Sequence, residues 1–118
     1  MSAIGAAFAN GYAANGVDID DCALYARGHP GAQIFPTALA LAEKLRLGGS
    51  QMMTAMVIGY EVAHRVARMW HNYHDVYQAD GSWGSVACAA WLAICCACRR
   101  SRSSMPWASL NITPLICR

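Results

Sequence analysis

Residues 50–70 read S-Q-M-M-T-A-M-V-I-G-Y-E-V-A-H-R-V-A-R-M-W, and this run decides the fold class. Apolar side chains recur at three- and four-residue intervals, so Met53, Met56, Val57, Tyr60, Ala63, Val66, Ala67 and Trp70 fall on one side of a predicted helix. Ser50 is a suitable N-cap, and Glu61 and Arg65 make an i, i+4 pair on the outer side. Upstream, Pro30 opens a second periodic run carrying Ile34, Ala38, Leu41, Ala42 and Leu45, with Gly48-Gly49 read as its stop. Residues 2–14 are rich in small side chains and end at Asn15-Gly16. Downstream, a small-residue helix is predicted from about Ser82 to Cys98. No segment sustains the period of two that a half-buried strand needs. The prediction is an all-α chain of about four helices with an irregular tail.

The 118 residues are 56% hydrophobic and only 14% charged, too apolar for a disordered or acidic interaction tail. Charge and cysteine are unevenly placed. Residues 1–98 hold all seven acids against five basic side chains, whereas the last twenty hold Arg99, Arg100, Arg102 and Arg118 and no acid. Five of the six cysteines, Cys88, Cys95, Cys96, Cys98 and Cys117, fall at or after position 88. Without secretory features or spread spacing they read as reduced thiols of a cytoplasmic protein. The uncharged stretch 81–98 followed by Arg99-Arg100 has the outline of a short membrane helix, but its Ala, Ser, Gly and Cys content fits a helix buried in a larger helical domain better. The arginine patch is too short, and the net charge of +2 too small, to argue for nucleic acid.

Asp18, Asp20, Asp21 and Cys22, with His29 soon after, form the densest polar cluster. Crowded carboxylates push one another's pKa apart and an imidazole titrates near neutrality, so this loop can supply a general acid and base. The plainer reading is a solvated loop in which Asp21 caps the following turn. His71 and His74, in W-H-N-Y-H-D, have zinc-like spacing without a second ligand pair, which favours exposed loop histidines. Cys95-Cys96-Ala97-Cys98 lacks C-x-x-C spacing, and no metal site is expected. Gly81-Ser82-Trp83-Gly84 places backbone amides at a helix start, where an anion such as a substrate carboxylate is favoured.

Four blocks carry a resemblance: A-A-F-A-N-G-Y-A-A-N-G-V-D-I-D-D-C, G-H-P-G-A-Q-I-F-P-T-A-L-A-L-A-E-K-L, V-I-G-Y-E-V-A-H-R and G-S-W-G-S-V-A-C-A-A. In this order, over about residues 3–94, they resemble the MmgE/PrpD family of 2-methylcitrate dehydratase-like proteins. The resemblance implies a piece of that family's large helical domain, lacking its first helices and the smaller α+β domain that closes the active site. It also implies a lyase chemistry on small polycarboxylic acids, without metal or other cofactor, in a parent enzyme that is a homodimer. Related isomerases, epimerases and decarboxylases share the family. Asp18 matches the active-site aspartate that opens D-x-D-D, and His29 the active-site histidine of the H-P block. Cys22 stands where many members have threonine and Asn15 where many have histidine. A further family histidine precedes the Gly81 helix, a place that His74 or Gln78 can take, so Cys22 and His74 are the expected substrate-binding residues. The remaining catalytic lysine, histidine and tyrosine belong to regions this chain does not contain, and Lys44 does not match. The chain alone is therefore expected to be inactive and to self-associate through exposed helix faces.

The family pattern is expected to stop at residue 94, leaving 95–118 as a separate basic segment with two prolines. Read one frame over, with the last base of each codon joined to the next two, Met105-Pro106 forces Ala and Trp107-Ala108 forces Gly. Permitted codons at the other positions give L-S-P-E-Q-V-E-H-A-L-G-I-A-E-Y-H-A-P, which has a Ser cap, Glu in the first turn and helical periodicity. The expectation is a frame change between about Trp91 and Cys98, in which case the chain is the product of a disrupted family gene.

Overall fold

The computed structural model describes residues 2–77 and 80–104, with side chains through residue 94. The predicted all-α class is what it shows: α1 (Ala3–Gly16), α2 (Pro30–Leu45), α3 (Gly49–His71) and α4 (Asp80–Ser104). Ser2 caps α1, its hydroxyl accepting from the Gly5 amide at 3.1 Å. Pro30 opens α2, and a second proline, Pro36, sits inside it. Pro36 has no N–H to give to the carbonyl of Ala32, one turn back. That carbonyl faces α1 at Gly11, where a Cβ would stand 2.7 Å from the oxygen. Glycine there lets α1 lie close along α2.

Two helix boundaries differ from expectation for one reason. Arg46 takes a left-handed conformation (φ 54°) and ends α2, with the Leu47 amide bonded to the Ala42 carbonyl at 2.9 Å. The glycine pair is thereby released to start the next helix: Gly48 is the N-cap of α3, and Gln51 Oε1 accepts from its amide at 3.0 Å. Ser50 lies inside the first turn rather than at the cap.

The inward face of α3 also differs. Ala55, Gly59, Ala63 and Ala67 are buried, whereas Met53 and Val57, predicted inside, are 60% and 67% exposed. A ridge of small residues at four-residue spacing admits the large side chains of its neighbours. Trp83 and Ala87 of α4 pack with Ile34, Ala63 and Ala67, and Trp91 packs with Ala38 and Ala55. The order of these contacts makes α3 and α4 antiparallel. Full burial of Trp83 contributes on the order of 5 kcal/mol of transfer free energy. Its indole N–H has no hydrogen-bond partner among the described residues, a cost of about 1–3 kcal/mol, so burial wins.

α4 begins at Asp80, earlier than Ser82, and continues to Ser104, so the expected boundary at residue 94 falls inside a continuous helix. Residues 105–118 lie outside the described ones, as does Gln78. Among the described residues no helix is long and apolar enough to cross a membrane.

Candidate functional site

The loop between α1 and α2 carries the cluster singled out in the sequence, and it is more ordered than a solvated loop. Asp18, Asp21 and Arg27 all have positive φ (59°, 57° and 48°), which tightens the chain into successive turns. The Ala23 amide bonds to the Gly28 carbonyl at 3.0 Å and closes the last turn. Asp20 is the one buried acid of the described residues, 4% exposed, and its carboxylate accepts from Asn15 Nδ2 at 2.5 Å. Its carbonyl accepts from the Ala32 amide at 3.1 Å. Asp20, through its backbone, therefore ties down the first turn of α2, the role expected of Asp21. Gly31 makes this possible, since a Cβ there would stand 2.5 Å from the Asp20 oxygen.

Asp21 lies beside Tyr60 of α3. Burial pushes the Tyr60 phenol up to about 12, and the charge of Asp21 and a hydrogen bond to it add to the effect.

His29, the N-cap of α2, is half-buried and meets Asp80, the first residue of α4. Asp80 Oδ1 accepts from the His29 backbone amide at 2.7 Å, while Oδ2 stands 3.7 Å from Nδ1 of the ring. A Cβ on Gly28 would overlap the Asp80 carboxylate. The carboxylate could clear it only by giving up the His29 amide, so the close approach requires glycine. Asp80 also occupies the N-terminus of α4 with a negative charge, where the sequence reading had placed an external anion.

This pair stands at a cleft of about 540 Å3, lined also by Phe8, Tyr12, Asn15, Gln33, Thr37 and Cys88. Cys88 lies 3.6 Å from the Thr37 hydroxyl, and burial raises its thiol pKa despite that contact. The lining holds one carboxylate and one imidazole, and neither lysine nor arginine.

The expected site residues are not all brought together. His29 lines the cleft, whereas Asp18, Cys22 and His74 are exposed and are not in its lining. The His74 ring stacks on Trp70 at a centroid distance of 4.2 Å. His71, expected as an exposed loop residue, closes α3 half-buried, with Nε2 2.7 Å from the Ala26 carbonyl. Asp80 was missed by the sequence reading. Its one local signal is an acid at the start of an apolar run, which helix-end electrostatics explains without a site.

An imidazole held beside a carboxylate in a helical cleft defines a class of site able to take and return a proton. The MmgE/PrpD N-terminal domain matches residues 1–108. The chain belongs to the MmgE/PrpD family. No significant match to the chain was found among curated proteins or solved structures.

Proposed function

We propose that the chain carries the aspartate–histidine part of a lyase site for a small polycarboxylic acid of the 2-methylcitrate type, working by metal-independent acid–base chemistry. The observation that carries this reading is the His29 ring at the cleft with Asp80 against its backbone and ring. In the reaction a base takes the proton from a carbon next to a carboxylate. The electron pair forms the new carbon–carbon double bond, the carbon–oxygen bond breaks, and an acid protonates the departing hydroxyl to release water. His29 is assigned one proton-transfer role; Asp18 is given the other, and Cys22 and His74 substrate binding, by the family resemblance alone, since none of these three lines the cleft. The substrate's carboxylates need cationic partners that the cleft lining does not contain, which supports an inactive isolated chain. A cytoplasmic location goes with this reading.

A second reading has its own observation. Residues 95–118 combine four arginines, two prolines and no acid, and their neighbouring frame, fixed only where the Met105 and Trp107 codons force it, permits a helical family-like run with suitable codons elsewhere. We infer that this segment is out of frame and the chain the product of a disrupted gene, a reading that the family match running on to residue 108 counts against. The stretch R-R-S-R-S-S has no proline to stop α4 before Pro106, so an out-of-frame run can continue the helix to Ser104.

Sequencing the DNA tests the frame, and turnover tests the chemistry. Purified chain and a frame-restored protein are each incubated with 2-methylcitrate, citrate and cis-aconitate. The chain should be silent and the restored protein active, with losses of about 100-fold or more in His29→Ala and Asp18→Asn. Asn tolerates the positive φ of Asp18, so that variant removes the charge with little disturbance of the turn. Full activity in His29→Ala would overturn the assignment, and tail codons that give no family-like helix one frame over would end the frame reading.

A further inference from the structure

We propose that His71 is a positioning residue for His29, acting through the turn 23–28. This rests on the reading of His29 as a proton-transfer group. Within the turn the Ala26 amide bonds to the Ala23 carbonyl at 3.0 Å and the Arg27 amide to the Leu24 carbonyl at 3.3 Å. The methyl of Ala26 is fully buried in the cluster of Trp83, Ala63 and Ala67. Its carbonyl lies 2.7 Å from Nε2 of His71.

A carbonyl can only accept, so Nε2 must carry the proton. Nδ1, unprotonated in that tautomer, lies 3.4 Å from the His74 carbonyl and donates nothing to it, so the Nε2 bond to Ala26 is what ties the ring at the end of α3. A second side-chain tie, between this turn and the segment after α3, is the Arg27–Asp75 ion pair, whose aspartate side chain is 93% exposed. Water screens such a pair, and it holds the turn weakly. His71 is a half-buried polar link from α3, beside the packing of Ala26 on Ala63 and Ala67, and Asp80 holds the far end of the same segment through the His29 amide. Between these two anchors lie only Arg27, in its left-handed conformation, and Gly28. Displacement of the Ala26 end shifts the His29 ring, and proton transfer is sensitive to misplacement of about 1 Å.

The test uses the full 118-residue chain and nitrogen-15 NMR. The ring nitrogens of His71 should report the Nε2–H tautomer. In His71→Leu, amide exchange at Arg27 and His29 should accelerate about ten-fold or more, with Ile34 and Ala63 unchanged. His71→Gln, which keeps a donor, should restore most of the protection. An Nδ1–H tautomer, unchanged exchange in His71→Leu, equal acceleration at Ala63, or no rescue by Gln would each overturn the proposal. In the frame-restored protein, His71→Leu should lower kcat with KM unchanged. If the exchange pattern appears but kcat does not fall, the latch stands and the proton-transfer reading of His29 fails.

Discussion

Gly28 and Asp80 show how a site can depend on the absence of a side chain. The carboxylate reaches the His29 amide across the space a Cβ would fill. Gly28→Ala should therefore cost about 1–3 kcal/mol through loss of a charge-assisted hydrogen bond, measurable by urea unfolding. Tyr60 gives a second prediction at this scale. Its phenol is raised to about 12 by burial first and by Asp21 second, so the folded state favours the neutral form. That contribution is complete below the unfolded value of about 10 and is lost as pH rises toward 12. Stability should fall through this window, and Tyr60→Phe should flatten the fall. His29 was legible because histidine before Pro30 in an acid-rich loop is a local pattern. Asp80 was not, because it meets His29 across 51 residues of sequence and only packing brings them together.

Among the elements, α2 was legible in its start and its buried stripe, marked by Pro30 and the run Ile34, Ala38, Ala42, but not in its end, which Arg46 sets ahead of Gly48-Gly49. α3 was legible as a helix but not in its facing. Reading hydrophobicity alone favours Met53 and Val57, whereas close approach of α4 favours the smaller Ala55, Gly59, Ala63 and Ala67. Size, not apolarity, selects the buried side where tryptophans must fit. Ala63→Leu adds apolar volume at a fully buried position and should destabilise by about 1–3 kcal/mol, read from chemical denaturation. A gain in stability would show that the ridge is not close-packed. The extent of α4 was illegible because R-R-S-R-S-S carries neither helical period nor helix breaker.

At the scale of the whole molecule, the extents are 45 × 34 × 19 Å, so the shortest dimension is less than two helix diameters of about 10–12 Å each. Few side chains can then be enclosed, and α1 encloses none. Ile4, Phe8 and Tyr12, spaced four apart on α1, are 84%, 76% and 78% exposed. An apolar stripe of this kind should drive self-association, seen as concentration-dependent sedimentation and weakened by Phe8→Ser. A sharp melting transition of a strict monomer would contradict that expectation.

The central claim is a His29 held at the cleft by Asp80, and the measurement that meets it most directly is the His29 backbone amide in the chain and in Asp80→Ala. The account predicts an amide protected from hydrogen exchange in the parent chain that loses protection in the variant, while Ala63, in the core, keeps its own. A His29 amide equally protected with and without the carboxylate would contradict it.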